Sequence, residues 1–148
     1  MARAQLTGFD ELDKLFEQLG KPEEFAFKAV NNAAPVLRKH IVKNLKNASN
    51  SKKLANSFVP TPAKVNDAGV YSVVRPTGNF NDDLSNADLA AQFEYGRKGG
   101  YKRHEMKRPA TEMKPRPWRD RSINDARKEC EAIMEIEVLK AVDEAVNT

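Results

Sequence analysis

At 148 residues the chain is long enough for one ordinary domain with its own apolar core. Its 40% hydrophobic and 31% charged residues exclude a disordered segment as its main character. A single cysteine, Cys130, excludes an internal disulfide framework and points to a reducing compartment. No stretch reaches the roughly 18 consecutive apolar residues of a membrane span, and residues 1–6 lack the apolar core of a signal peptide. A soluble protein made in the cytoplasm is the expectation.

In chain order, Phe9, Leu12, Leu15, Phe16 and Leu19 recur at spacings of three and four with acidic residues between them, which predicts an amphipathic helix. Gly20 suits its end and Pro22 a new start. From Pro22 to about Asn47 a longer helix is expected, because Phe25, Ala29, Val30, Ala33, Val36, Leu37, Ile41 and Leu45 keep the helical period. Pro35 removes a backbone donor inside it and predicts a kink or break near Ala33 and Ala34. His40 has no companion at metal-ligand spacing and reads as structural or solvent-facing.

Residues 47–51 read as a polar linker and 52–57 as a brief turn. The period then changes. Phe58 to Asn66 reads as an extended segment with Val59, Thr61, Ala63 and Val65 on one face, its Pro60 and Pro62 confining it to an edge or a bulge. Turn residues 66–69 lead to a returning strand over residues 70–75, so a hairpin is predicted. Residues 76–83 read as a loop, whose Asn and Asp lack the ordered ligand spacing of a calcium loop. Ser85, with Asp88 three residues on, is placed to cap a short helix through Leu89 and Phe93 that Gly96 terminates.

A basic stretch follows. Residues 97–116 hold eight basic side chains against Glu105 and Glu112, a local charge of +6 in a chain whose net charge is +4. An extended basic loop at about 97–114 is an electrostatic handle for phosphate or an acidic protein surface; a solvated loop is the plain alternative. Pro115 and Pro117 stiffen the approach to Trp118, the only tryptophan, which reads as a core or an interface anchor. The last segment, to Val146, favours helix on propensity. From Ala132 on, however, its apolar residues surround several faces, and residues 134–138 also alternate as a strand would; helix is preferred.

Catalytic patterns are missing: no glycine-rich phosphate loop, no defensible nucleophile–base spacing, no cysteine–histidine cluster. The chain reads as a non-enzyme without cofactor or metal. The order of elements, together with Leu54, Ser57 and Phe58, the run Phe93-Glu94-Tyr95-Gly96, and Arg116-Pro117-Trp118, resembles the HK97 gene product 10 family of tailed-bacteriophage head–tail joining, neck and tail-completion proteins. Lys52 stands where that family usually has glycine, and the loop between Gly96 and Lys114 is longer and more basic than its usual form.

The resemblance implies a single α+β domain over residues 1–148, in which a small antiparallel sheet packs against two to four helices. It also implies a virion protein assembled in the host cytoplasm as a homo-oligomeric ring of six subunits, between the connector and the tail tube, with DNA passing through the lumen. The expected assembly-interface residues are Phe93, Glu94, Tyr95, Arg97, Lys98, Lys102, Arg103, Lys107, Arg108, Arg116 and Trp118. The competing expectation is a nucleic-acid-binding module that neutralises phosphates with the same basic loop and stacks Tyr101 on a base.

Overall fold

The computed structural model describes residues 22–100 and 111–147. Two 28-residue helices, α1 (Pro22–Ser49) and α4 (Arg119–Val146), form its frame and pack along each other. At 1.5 Å per residue each is about 42 Å long. Between them in sequence come α2 (Lys52–Asn56), the strands β1 (Phe58–Pro60), β2 (Lys64–Asn66), β3 (Gly69–Tyr71), β4 (Val74–Pro76), β5 (Asn79–Asn81) and β6 (Leu84–Ser85), and α3 (Asn86–Tyr95). The fold is α+β, with its strands arranged as three antiparallel pairs, β1–β4, β2–β3 and β5–β6. The predicted helix through Phe9 and Leu19 lies outside the described residues.

Helix α1 runs unbroken through Pro35, so the break expected near Ala33 and Ala34 does not occur. Proline costs a helix one backbone donor and a steric adjustment; here Ala33 and Ala34 are both buried, and the long packing against α4 holds the two halves in one helix. The helix also reaches further than the expected linker: it continues to Ser49, whose hydroxyl donates to the Leu45 carbonyl, and Asn50 leaves it at φ 53°. The predicted turn at 52–57 is a one-turn helix, α2, capped by the Ser51 hydroxyl accepting from Leu54 N–H.

The expected hairpin is present but interrupted. Phe58 pairs with Pro76 and Pro60 with Val74; further out, Lys64 pairs with Tyr71 and Asn66 with Gly69. Between the two pairs, the three residues Thr61, Pro62 and Ala63 face only Ser72 and Val73, an extra residue of the kind that forms a bulge. Pro62 cannot donate to a ladder, and side chains add to the one backbone bond there, from Thr61 N–H to the Val73 carbonyl at 2.8 Å. Val73 N–H donates to the Thr61 hydroxyl, and the Ser72 hydroxyl donates to the Thr61 carbonyl. One inserted residue exchanges the two faces of a strand, so the single face expected for Val59, Thr61, Ala63 and Val65 is not maintained. Residues 76–83, expected as loop throughout, contain β5, which turns through an Asn81 side chain accepting from Asp83 N–H and pairs with β6.

The apolar core lies where α1, α2, β1, α3 and the start of α4 converge. It comprises Ile41, Leu45, Leu54, Ala55, Phe58, Leu89, Ala90, Phe93 and Trp118. The Phe58 and Trp118 rings meet edge to face, with centroids 5.2 Å apart, a favoured aromatic geometry. Beyond the core the α1–α4 seam includes a polar cluster. Asn44 Nδ2 donates to Ser122 Oγ (3.2 Å) and Asp125 Oδ2 (3.0 Å), while Ser122 Oγ donates to the Trp118 carbonyl (2.6 Å). His40 Nε2 lies 3.3 Å from Glu129 Oε1 without the alignment of a hydrogen bond. His40 is buried, so of the two expectations the structural one holds. The C-terminal segment is helical to Val146, as preferred over a strand. Among the described residues no helix is long and apolar enough to cross a membrane.

Candidate functional site

The region that carries the expected interface is the junction of α3, the root of the basic loop and the start of α4. Helix α3 begins with Ser85 Oγ accepting from Asp88 N–H at 3.0 Å and ends at Gly96, as the sequence predicts. Gly96 has φ +79°, and a Cβ there would stand 2.8 Å from the Met113 carbonyl and 2.9 Å from Pro115 Cδ. Only glycine lets the two arms of the loop approach this closely. They are tied by a reciprocal pair of 2.8 Å hydrogen bonds between the backbones of Arg97 and Met113.

The Arg97 guanidinium reinforces that tie. Its Nε donates to the Thr111 carbonyl (3.0 Å) and its Nη1 to Gln92 Oε1 (2.8 Å). Arg97 thus serves as a brace, and its charge is already hydrogen-bonded within the chain. Lys98, Lys114 and Arg116 are exposed on the same root, where an open recess of about 400 Å³ lies between Tyr95 and Pro115. Arg116 is also bound back: its N–H donates to the Phe93 carbonyl and its Nη1 to the Ala48 carbonyl at the end of α1. Lys102, Arg103, Lys107 and Arg108 lie outside the described residues.

Three expected interface residues belong instead to the chain's own interior. Phe93 and Trp118 are buried in the core, and Trp118 Nε1 donates to the Ala90 carbonyl at 3.0 Å. Glu94 is buried too, and its Oε2 accepts from the backbone N–H groups of Trp118 (2.9 Å) and Arg119 (3.0 Å). These are first-turn donors of α4, which has no side-chain cap of its own. A carboxylate from α3 therefore caps α4 and complements the positive end of its dipole. The sequence advertised apolar and charged residues around Gly96; the structure spends them on joining α3 to α4.

What stays outward is Tyr95, 65% exposed. Sequence reasoning missed its partner, Arg119, whose guanidinium lies 5.9 Å from the ring centroid and donates through Nη1 to the phenol oxygen at 3.0 Å. Its position directly after Trp118, at the first turn of the last helix, was the signal available. Tyr95, foremost among its neighbours, holds the Arg119 guanidinium above its ordinary pKa. The pair sets the guanidinium cation over the ring face.

A second feature lies on the other side of the frame. An apolar groove of about 360 Å³ runs between α1, α4 and the hairpin, with Cys130 in its wall. Burial pushes the Cys130 thiol up, with Glu129 adding to the effect, so at neutral pH it is a protonated, weakly nucleophilic group. Among the described residues no group of three or more His, Cys, Asp or Glu is placed to hold a metal ion. Comparison with family models, with curated protein sequences and with solved structures gave no match.

Proposed function

We propose that this chain is a structural virion protein of a tailed bacteriophage, a subunit of a six-membered ring at the head–tail junction that joins the connector to the tail tube as neck or tail terminator. The observation that carries the reading is the rigid mounting of the basic loop. Gly96, the Arg97–Met113 bridge and the Glu94 cap of α4 anchor both arms of the loop to the core. Such a mount fixes where the two arms of the basic stretch leave the surface.

The exposed surface supports the same reading. A ring subunit needs two different complementary surfaces, because head-to-tail contacts are heterologous. Large apolar side chains are exposed on the hairpin, at Val59, Val65 and Val73, and separately on α4, at Ile136 and Leu139. The exposed Tyr95 and Arg119 pair adds the residue types most often found at the energetic centre of an interface. In this reading DNA passes through the lumen without specific binding, and charges on the loop meet an acidic surface of a neighbouring virion protein.

The test is the native mass of the purified protein together with electron-microscope images. A closed ring, formed alone or on addition of the connector, is expected. A chain that stays strictly monomeric with the connector and tail tube present would sink the proposal. Tight DNA binding at physiological ionic strength, falling steeply with salt, would replace it with the nucleic-acid module.

A further inference from the structure

Helix α4 carries its charge against its own dipole. Acidic residues stabilise the N-terminal turn of a helix and basic residues the C-terminal turn. Arg119 and Arg121 stand in the first turn of α4 with only Asp120 against them, while its last turn holds Asp143 and Glu144 and no basic residue. Residues 129–146 have six acidic side chains against Lys140, a local charge of −5. Packing adds to this polarity. The two long helices run antiparallel: Asn44 meets Asp125, Cys130 Sγ lies 3.6 Å from the Ala33 carbonyl, and Glu137 interacts with Asn32 and Lys28. The acidic first turn of α1, with Glu23 and Glu24, therefore lies beside the acidic end of α4, and Lys46 in its last turn lies beside the arginines.

The described frame is thus cationic at one end and anionic at the other. Gathering like charges opposes folding, and a local rule broken without gain to the fold is the mark of a functional surface. The anionic end also presents an unpartnered apolar face. Ala132, Ile136, Leu139 and Val146 recur at spacings of four, three and seven, which is one side of a helix. Ile136 is 50% exposed, Leu139 56% and Val146 70%. Exposed Glu135 and Asp143 stand four residues to either side of Leu139, and Glu131 four before Glu135. The cationic end is the counterpart: Arg119 lies over exposed Tyr95, and Lys98, Lys114 and Arg121 are exposed at the same end.

We infer that the outward face of the C-terminal half of α4 is the docking surface for the Tyr95–Arg119 end of a second copy of this chain. Charge selects the occupant. Residues 95–100 and 111–121 hold six basic side chains against Glu112 and Asp120, a local charge of +4 to meet the −5 of residues 129–146. One chain cannot make the contact with itself, because Arg119 lies about 24 Å from Glu135 and about 36 Å from Asp143 along one continuous helix. Tyr95 and Arg119 set an aromatic and a guanidinium on the Ile136 and Leu139 face, and the lysines and Arg121 meet its carboxylates. The contact is head to tail, as a ring requires. The inference rests on the proposed ring and supplies its subunit contact: the acidic surface that receives the root of the basic loop is the chain's own.

Charge exchange in the full-length chain tests this, with the Arg97, Arg116 and Glu94 bonds left intact. One variant carries Glu131→Lys, Glu135→Lys and Asp143→Lys; the other carries Lys98→Glu, Lys114→Glu and Arg121→Glu. By sedimentation velocity, alone or with the connector, each variant should self-associate at least ten-fold more weakly than the wild type. An equimolar mixture of the two, and a single chain with all six changes, should assemble again, which also shows that the variants fold. In the wild type, zero-length carbodiimide coupling should join Lys98 or Lys114 to Glu135 or Asp143 of another chain. Wild-type assembly that persists in both variants overturns this contact and leaves the ring standing. Loss in each variant without recovery in the mixture or the six-fold chain overturns the contact as well. A wild type that stays monomeric with the connector and tail tube present overturns the ring and the contact together.

Discussion

Glu94 shows how one side chain can be read as surface and prove structural. From the sequence it is an acidic residue in a Phe-Glu-Tyr-Gly run; in the fold it accepts two first-turn donors of α4 while itself buried. Glu94→Ala strands those two N–H groups, and an unsatisfied buried donor costs about 1–3 kcal/mol. We therefore expect a stability loss of about 2–3 kcal/mol in urea unfolding, with Glu94→Gln losing less because an amide oxygen still accepts. A loss below about 0.5 kcal/mol for Glu94→Ala, the size of a typical exposed-surface substitution, would show that the cap is not formed. Composition identified Phe93 and Trp118 as anchors but not the surface they anchor, because apolar character alone does not distinguish the chain's own core from a partner's. The caps were legible for the opposite reason: Ser85 and Gly96 act through local backbone geometry, which sequence states directly.

At the scale of elements, both long helices were legible from period and propensity, and their seam was not. Asn44, Ser122 and Asp125 are distant in sequence, and nothing local marks them as partners. They set how α4 lies against α1 beyond the core. Asn44→Ala should cost about 1–2 kcal/mol, since it removes two hydrogen bonds while Asp125, exposed, regains water. A double-mutant cycle with Asp125→Ala isolates the direct bond: a coupling of about 0.5–1.5 kcal/mol is expected, whereas additivity within about 0.3 kcal/mol would mean that the pair does not interact. The hairpin shows a subtler limit. Alternation and prolines foretold two strands and an edge or bulge, yet the one-residue shift between β1–β4 and β2–β3 is bridged by Thr61 and Ser72 side chains beside a single backbone bond, a choice made only after the strands meet.

For the whole molecule the question is whether its charge is architecture or address. Arg97 and Arg116 are bound into the frame through Thr111, Gln92 and Ala48, so part of the basic stretch is structural. Lys102, Arg103, Lys107 and Arg108 fall between the two arms that those residues brace, and reversing all four changes the formal net charge from +4 to −4 without touching the Arg97–Met113 tie. If the loop is an address for an acidic neighbour, the reversed protein keeps its urea midpoint and its far-ultraviolet spectrum but loses the proposed head–tail joining. Electrostatic steering accelerates association by roughly 10- to 1,000-fold at low salt, so the wild-type association rate should also fall steeply between dilute and physiological salt while the variant's does not. The two readouts separate the cases. Unfolding of the variant would make the charge architectural. Intact joining with unchanged salt dependence would make it mere solvation, and the contact role would then rest on Tyr95, Arg119 and the exposed apolar faces of the hairpin and α4.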